Sequence, residues 1–231
     1  MRFRWVRSIS TFAAGAMLAL AAWAMPVAAQ TPVRVGWCTK ALSSAASPWA
    51  IAIKLGWIEQ AGLKLTVIPT AGSADCMKLV ATKDYLLALS GIEAIATMHE
   101  QGADMKIFYT AYRSYVFGIT VPKDSPIKTV ADLKGKKVGV NSMASNGVMV
   151  TRAMATDAGL NPDKDINIVV IGEGAQAAAQ LKNKQADAYS AFDTAYTLVE
   201  NAGVALRDLP NANAPRSVSY THLTLPTNRE V

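Results

Sequence analysis

Short apolar runs that are typical of β-strands alternate with Ala-rich segments that are typical of α-helices along most of this chain. Strands that are separated by helices at this spacing form parallel βαβ units rather than an all-β sandwich. The sequence therefore predicts an α/β fold. Strands are expected at 32–37, 63–69, 85–90, 105–110, 116–122, 137–141, 165–171 and 186–190. Helices are expected at 48–55, 73–82, 92–101, 130–134, 146–158, 176–182 and 194–202, with Ser47 capping the first and Gly159 closing the fifth.

The second half of the chain repeats the plan of the first half. Val67-Ile68 leads through a small-residue turn and a helix to Lys83, and Val170-Ile171 leads through a similar turn and helix to Lys184. Internal repetition of this kind indicates two copies of one structural plan. We therefore predict two similar lobes of βαβ units with a ligand cleft between them, the first lobe over 30–114 and the second over 115–216.

The first 29 residues have the pattern of a secretory signal peptide. Three arginines precede the apolar run 11–23, and the small residues of Val27-Ala28-Ala29 fit the site that a signal peptidase cleaves. The alternative is a retained membrane anchor, which the shortness of the run disfavours because a span needs roughly 20 apolar residues. We expect cleavage near Ala29 and a mature protein in the periplasm.

The last residues, 217–231, differ from the rest of the chain. The Ala-, Gly- and Val-rich alternation stops near Arg216, and Val218 to Thr227 resembles a translated sequencing-library adapter. We expect 217–231 to be a non-native tail on a natural sequence that is truncated near Arg216. The alternative is a genuine polar C-terminal strand.

Charge and cysteine content narrow the function classes. Without the three arginines of the leader, the 23 basic residues fall to 20 against 17 acidic residues, a net charge of +3 with no dense basic cluster. This balance disfavours nucleic acid as a partner. The two cysteines, Cys38 and Cys76, either form a disulfide, which an exported protein permits, or remain buried thiols.

Three segments carry a family resemblance: 55–63 (LGWIEQAGL), 125–127 (SPI) and 130–140 (VADLKGKKVGV). They resemble ABC-importer substrate-binding proteins of the type II periplasmic fold, in the subgroup for nitrate, sulfonates, taurine and thiamine-pyrimidine precursors. The resemblance implies a monomeric binding protein without a cofactor that delivers its ligand to an ABC permease in the inner membrane. It also implies that the chain returns to the first lobe after the second, so we expect the first lobe to be incomplete.

Loops after the predicted strands are the candidate ligand site. Ligands in open α/β sheets bind beyond the carboxyl ends of strands, where backbone N–H groups at helix N-termini suit anions. The alternative for each serine in these loops is a helix cap. The predicted ligand-binding residues in the loops are Ser43, Ser44, Gly72, Ser73, Ser90, Gly91, Ser142, Met143, Ser145, Asn146 and Glu173.

Four larger side chains complete the candidate site. Arg113 lies at the predicted passage between the lobes and could bind an anionic group or form an interlobe salt bridge. Tyr112 could stack on a planar ligand or pack in the core, and Trp37 is a candidate cleft wall. Asp193 could bind an amine or cationic ring, although a cap for a helix starting at Thr194 is the favoured role.

The predicted function is capture of a small anionic or zwitterionic organic solute by lobe closure. Motifs for catalysis are lacking: no nucleophile elbow or Walker loop occurs, and His99 and His222 lack metal-ligand spacing. Two alternatives remain. One is an exported enzyme acting on a pyrimidine-like compound, with Cys38 or Cys76 as nucleophile, and the other is a periplasmic sensor domain.

Overall fold

A computed structural model describes residues 29–40, 42, 44–112 and 115–210, and the structural statements below concern those residues. The predictions for most of the signal peptide, for Ser43 and Arg113, and for the tail 217–231 lie outside them.

Eight strands and seven α-helices alternate along the described chain. The strands are β1 Thr31–Trp37, β2 Leu63–Pro69, β3 Leu87–Leu89, β4 Phe117–Pro122, β5 Lys136–Val140, β6 Ile166–Val170, β7 Ala188–Phe192 and β8 Leu206–Asp208. The helices are α1 Ser47–Lys54, α2 Trp57–Gln60, α3 Ser73–Ala81, α4 Ile92–Glu100, α5 Asn146–Asp157, α6 Gly174–Lys182 and α7 Asp193–Asn201. Two 3₁₀ segments, Ser44–Ala46 and Val130–Leu133, complete the list.

The strands form two sheets, and three strands of each follow the same plan. The first sheet has the order β2-β1-β3, all parallel, and the second has the order β6-β5-β7-β4-β8. β5 is parallel to β6 and β7, whereas β4 is antiparallel to β7 and β8. The turns before β3 and β7 both use a lysine with positive φ, Lys83 at 65° and Lys184 at 55°. The predicted α/β fold with two similar lobes is therefore confirmed.

The lobe that contains the second sheet is packed on both faces. One apolar cluster joins that sheet to α5 and the 3₁₀ segment through buried residues such as Leu133, Val138 and Val150. Another joins it to α6 and α7 through residues such as Leu181 and Val199. Burial of apolar area on both faces is the main source of stability for a parallel sheet.

The segment 130–140, which carries most of the family resemblance, serves the structure of this second lobe. Thr129 and Asp132 form a capping box at the start of the 3₁₀ segment, and Leu133 is fully buried. Backbone amides of Lys128 and Thr129 hydrogen-bond to the Asp132 carboxylate and lower its pKa. Gly135 then turns the chain into β5 with a φ of 73°.

Several sequence predictions of local structure are wrong. Residues 105–110 form no strand, since no neighbouring strand in the described chain supplies hydrogen-bond partners for them. Ser47 is the first residue of α1 rather than its N-cap, which is Ala46. The short strand β8 was not predicted, and the segment predicted as a helix at 130–134 is a 3₁₀ turn.

A disulfide joins the end of β1 to α3. Cys38 and Cys76 are bonded, with 5.4 Å between their Cα atoms, so the paired alternative of the sequence analysis is the one that the structure contains. Cys76 is fully buried in the small apolar cluster between α3 and α4. None of the helices in the described ranges has the length and apolar character to cross a membrane.

Candidate ligand site between the two lobes

Loops at the carboxyl ends of both sheets meet between the lobes. The Ala74 amide at the start of α3 donates a hydrogen bond to the Ala144 carbonyl of the loop after β5, at 3.1 Å. The Ser142 hydroxyl in the same loop donates to the Ala71 carbonyl at 2.6 Å. These bonds bring the predicted Gly72-Ser73 loop of one lobe against the predicted 142–146 loop of the other.

Two carboxylates add further bonds across this contact. Glu173, before α6 in the second lobe, accepts a hydrogen bond from Thr39 of the first lobe and another from Asn141, at 2.6 Å, in its own lobe. Glu93, in the first turn of α4 in the first lobe, accepts from Asn146 of the second lobe and from Tyr115. Each lobe thus supplies one carboxylate that binds a donor of the other lobe.

Helix N-termini explain where these two carboxylates lie. A negative charge in or before the first turn is favoured by the helix dipole, and both helices begin at the sheet edge that faces the other lobe. Sequence reasoning selected Glu173 but missed Glu93, Thr39 and Asn141 as site residues. The available signal for Glu93 was its place in the first turn of a helix that follows the selected loop residue Gly91.

A cavity of about 1100 Å³ opens beside this contact. It extends along β1 and β3, from Pro32 and the turn at Lys83 to their carboxyl ends, and then along the segment 104–112 to β4 and the start of α7. Six of the predicted site residues line it, namely Trp37, Ser73, Ser90, Gly91, Tyr112 and Asp193.

The other predicted residues that the structure describes lie outside this cavity. Ser142 and Asn146 form the interlobe bonds described above, and Gly72 packs against the Ala144 backbone. The Ser145 hydroxyl accepts from the Gly147 amide at 3.1 Å, so Ser145 is the N-cap of α5. Met143 is 60% exposed and borders a smaller cavity of about 170 Å³, and Ser44 belongs to the first 3₁₀ segment.

The predicted capping role of Asp193 is wrong. Phe192 is the N-cap of α7, and Asp193 is the first helical residue, with its Oδ1 accepting from the Thr194 amide at 2.6 Å. Because the carboxyl group is half-buried, desolvation raises the pKa of Asp193. Burial also raises the pKa of the Tyr112 hydroxyl, and the nearby charge of Asp193 adds to that increase.

Groups suited to metal binding or thiol chemistry are not found in the described ranges. No cluster of three or more His, Cys, Asp or Glu residues there could hold a metal ion. The chain has two cysteines, and the disulfide uses both of them. A cysteine nucleophile, on which the enzyme alternative depended, is therefore not present in this oxidised form.

Comparison with solved structures shows the same fold in binding proteins. A structure from Bordetella bronchiseptica RB50 is 24% identical with a TM-score of 0.66, and the match covers 78% of this chain and 57% of that one. The alkanesulfonate-binding protein SsuA from Xanthomonas axonopodis pv. citri, bound to MOPS, is 23% identical with a TM-score of 0.62 over 80% and 62% of the two chains. This chain therefore spans about three fifths of the length of these two structures.

A more distant match has a different ligand. The amino acid ABC transporter substrate-binding protein AbpA from Streptococcus pneumoniae, bound to L-arginine, is 19% identical with a TM-score of 0.52, over 77% of this chain and 75% of that one. A search of curated proteins gives no match. The model of the family described as "NMT1/THI5 like" matches residues 44–231, which is most of the sequence. The chain belongs to the NMT1/THI5-like family.

Proposed function

We propose that this chain is the solute-binding component of an ABC importer, which captures a small anionic or zwitterionic organic solute by closure of two lobes. The lobes are 30–114 and 115–216, and the protein works in the periplasm after cleavage near Ala29. Its partner is an ABC permease in the inner membrane. Family membership and the fold shared with solved binding proteins support this assignment.

The observation that carries the proposal is the direct bonding between loops of opposite lobes. Glu173 binds Thr39, Glu93 binds Asn146, and Ser142 binds the Ala71 carbonyl, all at the carboxyl ends of the strands. A solute that contacts both sets of loops gains its full binding energy only when the lobes are together. Its binding energy then shifts the equilibrium between open and closed arrangements toward the closed one.

One buried acceptor at this contact has no hydrogen-bond partner in the described part of the chain. The Oδ1 atom of Asn146 is buried and accepts no hydrogen bond in the described part of the chain, whereas its Nδ2 donates to Glu93. A buried carbonyl oxygen without a partner costs about 1–3 kcal/mol. A solute donor that bonded to this atom would recover that cost, and Asn146 borders the smaller cavity of about 170 Å³.

The experiment is a thermal-shift screen of the chain from Gln30 with small carboxylates, sulfonates, amino acids and pyrimidines. A ligand present at about 100 times its dissociation constant stabilises the folded state by roughly 2.7 kcal/mol. Small-angle scattering with each hit should show a smaller radius of gyration. A hit that binds without compaction would contradict the closure mechanism, and the lack of any hit would contradict the binding function.

Gly72→Ala tests whether the contact between the lobes is needed for ligand binding. A Cβ at Gly72 would lie 2.8 Å from the Ser145 nitrogen and closer still to the Ala144 carbonyl, both on the opposite lobe. Contacts below 3 Å with backbone force a shift, so we expect the lobes to move apart and the affinity for any hit to fall about tenfold or more. Gly118→Ala is the matched control, because its Cβ would meet only the Tyr196 hydroxyl at 3.9 Å. Equal affinity in the two variants would remove the role given to this contact.

A further inference from the structure

An aromatic wall with a carboxylate at each end forms one side of the large cavity. The rings of Tyr115 and Phe117 have centroids 5.9 Å apart, and those of Phe117 and Phe192 are 5.8 Å apart. Phe117 and Phe192 are paired residues on the antiparallel strands β4 and β7, so they stand on the same face of the sheet. All three side chains line the cavity.

A carboxylate lies at each end of this wall. Asp193 comes directly after Phe192 and lines the same cavity beside Tyr112. At the other end the Tyr115 hydroxyl donates to the Glu93 carboxylate, next to the unpartnered Asn146 Oδ1. Tyr112 and Trp37 place two more aromatic rings on the cavity lining.

No basic residue in the described part of the chain forms an ion pair with Asp193, although Arg34, Lys83 and Lys106 line other parts of the same cavity. Burial raises the pKa of Asp193, and the hydrogen bond from the Thr194 amide opposes that increase. The half-buried Asp193 carboxylate and the faces of the aromatic rings line the same cavity, and both attract a positive charge.

We propose that this wall binds a positively charged nitrogen of the solute, with Asp193 as its counter-ion and Phe117, Phe192 and Tyr112 as the aromatic surface. The solute class is therefore a zwitterion rather than a simple anion such as an alkanesulfonate. This inference rests on the proposed function and chooses the zwitterionic class within it. The anionic half of a zwitterion would then bind at the helix N-termini of the interlobe loops.

The test uses three pairs of probes that differ only in the charged nitrogen. They are taurine with 1-propanesulfonate, glycine betaine with 3,3-dimethylbutanoate, and choline with 3,3-dimethylbutan-1-ol. Isothermal titration with the chain from Gln30 should show the charged member of at least one pair binding about tenfold more tightly than its isostere. Tighter or equal binding of the isostere in every pair that binds would overturn the inference and leave the proposed function intact.

Substitutions in the wall test whether its residues cause the preference for the charged probes. Asp193→Asn keeps the shape of the side chain and its acceptor for the Thr194 amide, and it should reduce the charged-to-neutral affinity ratio to about one. Phe117→Leu should reduce the ratio about threefold, as expected for loss of one cation–π contact. Asp208→Asn is the control, because Asp208 has a pKa raised by burial but lies outside the cavity lining.

The outcomes of this experiment are distinct. An unchanged ratio in Asp193→Asn, with circular dichroism showing a folded variant, would overturn the role of Asp193. Binding of none of the six probes, together with no hit in the broader screen, would overturn the proposed function and this inference with it. Binding of the hits of that screen without any positively charged member among them would overturn this inference alone.

Discussion

The two sheets of this protein share one plan over three parallel strands but differ in how well they are covered. The orders β2-β1-β3 and β6-β5-β7 are equivalent, and the turns at Lys83 and Lys184 have the same left-handed backbone. The second sheet continues through β4 and β8 and packs two extensive apolar clusters. The first has one small buried cluster, formed by Cys76, Met77, Ala94 and Met105.

Apolar exposure shows the same contrast. The helices α1 and α2 have no buried residue, although both carry large apolar side chains. Among the described residues, the exposed large apolar side chains of the first lobe and its connection to β4 are Leu42, Ile51, Ile53, Leu55, Trp57, Leu86, Ile92, Ile107, Phe108, Tyr109, Tyr112 and Tyr115. Those of the second lobe are Met143, Met149 and Val170.

The comparison teaches that a shared strand order does not provide equal stability. Stability follows the apolar area that is removed from water, and here the first sheet removes less. The disulfide lies in this less covered lobe, where it links the end of β1 to α3. A covalent link that restricts the unfolded chain adds stability to the lobe that contains it.

Removal of the disulfide should have the largest effect on stability, and it should destabilise the first lobe more than the second. The link closes a sequence separation of 38 residues, for which chain entropy gives about 4 kcal/mol. In Cys38→Ala/Cys76→Ala we expect hydrogen exchange to lose protection in β1, β2 and α3 while β5–β7 keep theirs. Reductant added to the variant is the control and should change nothing further. Equal loss of protection in both sheets would show that the lobes do not differ in local stability.

A matched core substitution should give a smaller contrast. Val35 and Val138 occupy equivalent register positions in β1 and β5, paired with the first residues of β3 and β7, and are 1% and 0% exposed. Only Val138 belongs to an apolar cluster of buried residues. We expect Val138→Ala to lower the free energy of unfolding by about 2 kcal/mol and Val35→Ala by about 1 kcal/mol. Urea titration of both variants measures the difference, and a larger loss for Val35→Ala would reverse the comparison.

Relief of strain at the two lysine turns should have the smallest effect. Lys83 and Lys184 have φ values of 65° and 55°, which L-residues other than glycine adopt at a cost of roughly 1–2 kcal/mol. Glycine removes that cost but adds unfolded-state entropy, so Lys83→Gly and Lys184→Gly should each stabilise by about 0.5 kcal/mol. Thermal melts followed by lobe-specific hydrogen exchange measure both gains. Destabilisation by either variant would show that its lysine side chain has a structural role.

Much of the fold was predictable because its signals are local. The bounds of β2 were predicted without error, and those of β1 and α4 within a residue or so, since apolar patterning and small-residue turns mark them. The strand predicted at 105–110 fails because alternation supplies no hydrogen-bond partner. β8 was missed because three residues carry too little pattern, and its pairing with β4 joins positions more than 80 residues apart in sequence.

The candidate site was predictable as a set of loops but not as a set of contacts. Small residues after strands identified Gly72, Ser90 and Ser142 because helix N-termini follow them. Glu93 was not selected, since its importance comes from Asn146, a residue 53 positions away. Asp193 was assigned to a cap because the exact start of α7 is not visible in the sequence.

By itself, the sequence determined the alternation of strands and helices, the repeated βαβ plan and the loops that end each strand, because local patterning controls these features. Only the tertiary structure decided that Cys38 meets Cys76, that carboxylates of each lobe bind donors of the other, and that Phe117 and Phe192 form a wall beside Asp193. The disulfide and the aromatic pair depend on how distant segments pack within one lobe, and the carboxylate bonds depend on how the two lobes are placed against each other. No local pattern encodes either arrangement.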